Sequence, residues 1–559
     1  MDRSVPARGG RRPRSQAMVS ARRMFAVHER SEREGIPPAE VLGALEAERA
    51  SEPARPPAAR HTRRELLIGA GGVVAGAALS DSAAAALTRR RAGTSAGPRI
   101  AIVGAGLAGL RCAHMLWTQS PRAPVRSTVY EANPSRAGGR CWTLRGFFAG
   151  GLITEHGGAF LDSNQTAVRQ LATRLGLKQE IVNGGDLPQG DDAYFIGGRL
   201  YTYAEANADW HQIGLRAFTA AAQQMQSPRG QARLDRMSVP EWLDSTGIGS
   251  GSRLGKLMMS NAVTENGADP AEQSALDLIV LLTANPPSAL SLLPGNDERF
   301  HVVGGNDQLV SRMIGQLPPT TVRHDHVLVA VRERADRRIG LVFDVSGRTV
   351  QTTADLVVLA LPFSTLRRVE LKHSGLSATK RRVIRTMGMG TNAKIHIELS
   401  HKTWPVLGYA GVAYGEWQRL ACAWDDSVPL GPNASPALWL AYPGGRVGRT
   451  GITGNAHGRA PARDVSWALT EIEPVFPGTT AAYTGRAYED HWARDPWVHG
   501  AYSYYRVGQA ASYGALAARS EGRFLFAGEH TSINNMGFLD GAVETGERCA
   551  RALLRRLRL

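Results

Sequence analysis

The chain predicts an α/β fold built on a parallel Rossmann-type sheet, and three observations predict it. The first is a short apolar run, Arg99 to Val103, suited to a strand buried on both faces. The second adjoins it without a gap: Gly104-Ala105-Gly106-Leu107-Ala108-Gly109, then a helical pattern from Leu110 to Leu116. The third is a further strand, Ser127 to Tyr130, closed by Glu131, 22 residues after Gly109.

Each piece has a physical task. Gly104 permits the tight turn from strand to helix, Gly106 leaves the backbone bare so that a pyrophosphate can approach, and Gly109 lets the helix lie close to the sheet. Ala105 and Ala108 lie between these glycines and count with them as cofactor-contacting residues. The helix N-terminus adds free amide donors and the positive end of a dipole. Glu131 then stands where a carboxylate can accept both ribose hydroxyls, which favours an unphosphorylated adenosine ribose. A lone GxGxxG means little; strand, glycines, helix, strand and acid in register predict a dinucleotide site.

At 559 residues the chain exceeds one ordinary domain, and two interleaved domains fit best. A composition 43% hydrophobic and 21% charged is that of a globular protein, and no apolar run is long enough for an unbroken span, so stable membrane insertion is not expected. The formal charge is +16, but 17 Arg against 10 acidic residues fall within the first 98 positions. The remaining charge is scattered and not interleaved with aromatics, so nucleic acid is not an expected partner. Cys112, Cys141, Cys422 and Cys549 lie far apart, without zinc-site spacing or disulfide density; they read as packed thiols, and no metal is expected.

After Glu131 comes Asn133-Pro134-Ser135-Arg136-Ala137-Gly138-Gly139-Arg140, which resembles the R-x-G-G-R stretch of the flavin-containing amine oxidase family, that of monoamine oxidases and L-amino acid oxidase-like flavoproteins. Gly139 would bring backbone amides close to the FAD pyrophosphate, and Arg140 would add a fixed cation. Glu155-His156-Gly157-Gly158-Ala159 is similar to the family's next stretch, and implies that Gly157, Gly158 and Ala159 lie along the isoalloxazine, where bulk is forbidden. Phe300 to Gly305 is family-like and opens a helix from Asp307 to Ile314; Ala354 to Pro362 resembles a supporting strand of the family. Val327, in the strand His326 to Val329, matches the family valine that holds the adenine through its backbone.

The C-terminal likeness is the most specific: Phe524 to His530, then Gly537 to Gly546. It implies that Gly528 and Glu529 close a strand, with Glu529 accepting from ribityl hydroxyls. A helix from Leu539, with Ala542 in its first turn, would aim amides at the flavin edge where reduction deposits negative charge. The resemblance covers residues 98 to 559 and implies FAD as cofactor.

Flavin amine oxidation asks the protein for orientation, an apolar pocket and electrostatic tuning. Lys394, within Thr391 to Leu399, matches the family lysine that holds a water beside flavin N5; the alternative places Lys394, His396 and Glu398 on a solvated strand face. Tyr502 matches one wall of the family's aromatic cage and Phe538 the other, which is tyrosine in many relatives. Ala501 stands where some monoamine oxidases carry the flavin-bonded cysteine, so FAD should be non-covalent. Phe160 stands where many L-amino acid oxidases carry the arginine that binds the substrate carboxylate, although Arg419 or Arg506 could enter the pocket from elsewhere.

The leading expectation is therefore an FAD-dependent amine oxidase that passes a hydride equivalent to flavin N5 and is reoxidised by O2 to give imine and hydrogen peroxide. An L-amino acid oxidase, a carbon–carbon desaturase of the phytoene or porphyrinogen type and a non-catalytic flavin-binding partner are the rivals. A homodimer is left open.

Residues 1 to 97 read as a disordered extension ending in Thr62-Arg63-Arg64-Glu65-Leu66-Leu67, the apolar run Ile68 to Leu79 and a small-residue stretch at Ala83 to Ala86, which resembles a twin-arginine signal. Export by the twin-arginine machinery to the extracellular space or cell envelope is expected, with the mature chain starting near 87 to 98. The FAD-binding domain is expected to comprise 98–163, 295–372 and 495–559, and an α+β substrate domain 164–294 and 373–494. Trp404, Trp417, Trp424 and Trp439 offer the latter an apolar pocket, and Gly444 to Gly458 reads as loops rimming its entrance.

Overall fold

The computed structural model describes residues 97–183, 190–283, 289–294 and 296–559. The arginine pair and apolar stretch of the expected export signal lie outside them. Five short strands make one parallel sheet, in the order Phe524–Phe526, Leu356–Leu359, Ile100–Val103, Thr128–Tyr130, Val322–Arg323. Ile100 to Val103 is buried throughout, and alternate side chains serve different cores. Ile100 and Ile102 face the helical side; Ala101 and Val103 face a three-stranded antiparallel sheet formed by Val327–Glu333, Ile339–Val345 and Arg348–Ala354. A strand covered on both sides needs the unbroken apolar run seen in the sequence.

On the helical side, the glycine-loop helix Leu107–Thr118 packs against the C-terminal helix Leu539–Arg556. The approach is close: a Cβ on Gly546 would stand 2.4 Å from the Ala108 carbonyl oxygen. One turn along, the buried guanidinium of Arg111 donates to Glu547 through Nε at 3.0 Å and Nη2 at 2.5 Å.

An eight-stranded mixed sheet carries the other half of the site, in the order His457–Arg459, Tyr483–Asp490, Lys394–Leu399, Ala437–Tyr442, Cys422–Asp425, Tyr409–Gly415, Asp191–Ile196, Arg199–Leu200. Lys394–Leu399 lies inside this sheet with all six residues buried, which overturns the solvated-face alternative for Lys394, His396 and Glu398. Two helices, Arg253–Asn266 and Ala275–Leu282, cover the Asp191 end of the sheet. Gly444 to Gly458 is more ordered than loops: Val447–Gly451 is a turn of π-helix and His457 opens a strand. The helix expected from Asp307 starts one residue later, at Gln308, with Asp307 as its N-cap. All four cysteines are buried and free.

Candidate active site

A single cavity of about 1030 Å³ runs from Gly104 and Glu131, past Arg140 and Glu529, to Lys394, Tyr502 and Phe538. Its glycine end is tightly built. Gly104 has φ of +103°, and a Cβ there would meet the Ala360 carbonyl oxygen at 2.9 Å; a Cβ on Gly109 would lie 2.0 Å from the Gly104 oxygen. Gly106 differs, because a Cβ there would meet nothing within 4 Å. Its bareness serves whatever fills the cavity rather than the protein's own packing.

The carboxylate of Glu131 accepts from Ala105 N and Asn133 N, both at 2.8 Å. Burial raises its pKa despite those amides. Each oxygen keeps a lone pair for a hydroxyl donor. Ala105 thus acts by fixing Glu131, and Gly109 by seating the helix; neither lines the cavity. Val327 is not among the residues lining it; it begins the antiparallel strand Val327–Glu333 opposite Asp344, and the amide of the preceding His326 donates to the Glu131 carbonyl at 2.8 Å, which sets the start of this strand beside the nucleotide end.

In the middle, Arg140 Nη1 donates to Glu529 Oε1 at 2.9 Å and to the Ala501 carbonyl at 2.6 Å. Ser503 Oγ at 3.1 Å and Gly537 N at 2.9 Å complete the shell of Glu529. Burial alone would raise the Glu529 pKa, but Arg140 and these donors hold it below the ordinary carboxylate range. The two residues expected to touch the cofactor separately are therefore one ion pair that ties Arg136–Cys141 backbone to the Ala501–Ser503 segment. A Cβ on Gly157 would strike the Arg140 carbonyl at 2.0 Å, and one on Gly158 would reach Leu539 Cγ at 2.8 Å, so this backbone packs without side chains. Ala159, Gly139, Gly528, Leu539 and Ala542 line the same stretch, as does Ala108.

At the far end, Lys394 Nζ donates to the carbonyls of Glu155 and Gly157, both at 2.8 Å. Burial lowers its pKa, against the pull of Asp426, Asp490 and Glu155. Tyr502 Oη donates to the Thr264 carbonyl at 2.6 Å and meets Tyr442 Oη at 3.2 Å. The ring of Tyr442 stands edge-on to Trp424 at 4.9 Å, and Phe160 lies 6.1 Å from the same indole. Trp424 alone of the four expected tryptophans lines the cavity; Trp404 and Trp439 are core, and no residue of 443–458 reaches it. Asp192, Glu265 and Glu298 place carboxylates in the wall, and burial with the Asp191 charge pushes Asp192 up to about 6. The arginines in the wall are Arg136 and Arg140, the latter paired with Glu529; Arg419 lies over the Trp467 ring and Arg506 is exposed, so neither enters.

Behind Gly157 is a buried polar network that sequence reading missed. Asp490 Oδ1 accepts from His156 Nδ1 at 2.7 Å and His457 Nδ1 at 2.6 Å, while Oδ2 accepts from His396 Nε2 at 3.1 Å. His457 Nε2 reaches Asp495 at 2.9 Å, and His396 Nδ1 meets Thr154 Oγ1 at 3.0 Å with Asp426 beyond. Strand register assembles it: Lys394 and His457 are each paired with Asp490 across the sheet. Burial would push Asp490 up, but the three imidazoles pull it far below the usual carboxylate range. Burial also opposes charge on His457, yet its two carboxylate partners raise its pKa.

A glycine-lined nucleotide cradle that opens without a break into an aromatic pocket holding a buried lysine defines an oxidoreductase with a dinucleotide cofactor. The chain belongs to the flavin-containing amine oxidoreductases: the family described as "Flavin containing amine oxidoreductase" matches residues 107–554. It is an FAD-dependent amine oxidoreductase. Flavin-containing amine oxidase A of Equus caballus is 24% identical over 483 residues, covering 82% of this chain and 85% of that one. A Bacillus subtilis protein named as a candidate L-amino-acid oxidase is 22% identical over 468 residues, covering 81% and 93%. Among solved structures, cyclohexylamine oxidase from Brevibacterium oxydans superposes with a TM-score of 0.68 at 22% identity, covering 83% of this chain and all of that one. Putrescine oxidase bound to putrescine gives a TM-score of 0.68 at 21% identity, covering 82% and 99%. These structural likenesses speak for the fold.

Proposed function

We propose that the protein oxidises the C–N bond of an amine lacking an α-carboxylate, with O2 as acceptor, to give the imine and hydrogen peroxide. One observation carries the reading against an amino acid oxidase. The cavity wall has acidic residues at Asp192, Glu265 and Glu298 and phenylalanine at 160, while of its two arginines Arg140 is already paired with Glu529 and Arg136 donates to the Gly139 carbonyl. That wall favours a cation over a carboxylate.

FAD, when bound, supplies the acceptor for the hydride equivalent and the relay of two electrons to oxygen. The chain's own residues do the rest. The rings of Tyr502, Phe538, Trp424 and Tyr442 exclude water and orient the amine, and the hydroxyl of Tyr502 is tied to Thr264, which fixes its ring. Lys394 adds a desolvated donor beside Gly157, where developing negative charge would be stabilised. Ala501 offers no sulfur, so attachment is non-covalent. We also propose, from the Arg63-Arg64 stretch, that the folded holoprotein is exported.

Screening the holoprotein with alkylamines, diamines and L-amino acids for peroxide release tests the reading. Amines should win. Preferential turnover of L-amino acids would reverse it, and flavin reduction without peroxide would point to a desaturase.

A further inference from the structure

We propose that the substrate is a linear di- or polyamine, its reacting amine held at the Tyr502 and Lys394 end of the cavity and a second ammonium, farther along the chain, held by Asp192. This rests on the amine oxidase reading and deepens it, by naming the length and charge of the molecule that fills the cavity.

The sheet sets the distance. Ile395, Ala441, Ala423, Ala413 and Ala193 are paired in turn across adjacent strands, and all of them face one core. Side chains alternate along a strand, so the residues on either side of this row face the opposite way. Those residues form a floor of the cavity: Lys394 and Tyr442 at one end, Cys422 and Trp424 in the middle, Asp192 at the other end. Tyr442 Oη meets Tyr502 Oη at 3.2 Å, which joins the first end to the aromatic pocket. From the strand of Tyr442 to that of Asp192 is three strand spacings, roughly 14 Å at about 4.8 Å each. An ammonium sits about 3 Å from the carboxylate it meets, which leaves roughly 11 Å between the two nitrogens. An extended chain advances about 1.25 Å per bond, so the two amines are separated by about nine bonds, with about eight atoms between them.

The charge of the far end matches an ammonium. Asp192 makes no hydrogen bond or ion pair with any described residue, and burial together with Asp191 pushes its carboxyl up to about 6. The Lys and Arg residues of the described wall are engaged elsewhere: Lys394 on two carbonyls, Arg140 on Glu529 and Arg136 on the Gly139 carbonyl. At the middle of the floor the Cys422 thiol, pushed up chiefly by burial, also feels the charges of Glu298, Asp192 and Glu265. Glu265 lies in the last turn of the helix Arg253–Asn266, and that turn lines the cavity, so the negative end of the helix dipole adds to the attraction for a cation. An internal secondary ammonium, as in a triamine, falls within this same field.

Shorter or singly charged amines fit less well. The nitrogens of an extended diaminobutane are about 6 Å apart, so with one at the aromatic pocket the other stops short of Asp192. A monoamine of the right length reaches Asp192 but sets a methyl group against a desolvated carboxyl. A chain with an amine at each end meets both sites, and its methylenes pack on Trp424 and Val412 in between. A hydrogen bond between charged groups discriminates against a partner that lacks it by about 10- to 100-fold.

The test compares holoenzyme turnover of diaminooctane with an amine at each end, n-octylamine and the corresponding diaminobutane, read by peroxide release. Diaminooctane should show a kcat/KM about 10- to 100-fold above octylamine, chiefly through KM, and diaminobutane should lack that advantage. In D192N the ratio of kcat/KM for diaminooctane to that for octylamine should fall by about 10-fold or more, and D192E, which restores the charge, should recover most of it. A second measurement needs no turnover, because octane carrying a trimethylammonium at each end has no nitrogen lone pair with which to form an imine. It should perturb the flavin absorbance of the wild type at a concentration about 10-fold below that needed for octyltrimethylammonium, and lose this lead in D192N. Equal kcat/KM for diaminooctane and octylamine, an optimum at the short diamine, or a D192N variant that weakens both substrates alike would each overturn the proposal. Should no amine be turned over, the amine oxidase reading falls, and the two quaternary ligands still decide for or against a cation site at Asp192.

Discussion

Glu489 should make the protein less stable as pH rises, and replacing it with glutamine should abolish the effect. Its carboxyl is buried in the strand Tyr483–Asp490. Burial, reinforced by the charge of Asp464, raises its pKa from 4.5 to about 8. Asp464 accepts from Thr453 N and Oγ1, both at 2.7 Å, which fixes its side chain beside Glu489, where it favours the protonated form of that carboxyl. A carboxyl whose pKa is raised by folding contributes its full stability below the unfolded value and loses it as pH climbs through the folded one. The window is therefore pH 4.5 to 8, and the ceiling on the loss is about 5 kcal/mol at 1.36 kcal/mol per pKa unit. E489Q keeps the volume and cannot ionise. Denaturant or thermal midpoints measured from pH 5 to 9 should start together and separate in favour of the variant, by up to on the order of 5 °C. A gap that stays constant across that range would refute the reasoning.

G106A adds a Cβ to the bare face of the cradle that meets no protein atom within 4 Å, so the variant should fold yet bind FAD at least about 10-fold more weakly, read by quenching of flavin fluorescence. K394M removes the donor beside Gly157 and should slow reoxidation of reduced enzyme by O2 by on the order of 10²-fold, with a smaller effect on anaerobic reduction, both by stopped flow. Acid precipitation should leave FAD in the supernatant, because Ala501 cannot bond to it; colour retained in the pellet would contradict that.

The nucleotide half of the site was legible because its constraints are local. A glycine that must seat a helix on a strand, as Gly109 does, or an acid closing a strand, as Glu131 does, leaves a signature within a few dozen residues. Val327 was legible as a strand residue, and what ties that strand start to the nucleotide end is a backbone bond from His326 to Glu131, a contact between segments nearly two hundred residues apart that no local pattern carries. Asp490 shows the same limit. His156 and Asp490 alone are 334 positions apart, and only the pairing of three strands makes them neighbours of His396 and His457. Lys394 reads as a strand residue and is one, yet whether its face met water depended on what packed against the sheet, which no alternation in Thr391 to Leu399 could reveal.

The parallel sheet takes its outermost strand from Phe524–Phe526, and its helical cover from Leu539–Arg556. Those segments leave the ribosome some four hundred residues after the glycine loop they complete. The nascent chain therefore cannot retain its flavin while they are still being made; loading must wait until both have emerged. A truncation that removed only Leu539 onward would yield an apoprotein, however much of the pocket had already formed.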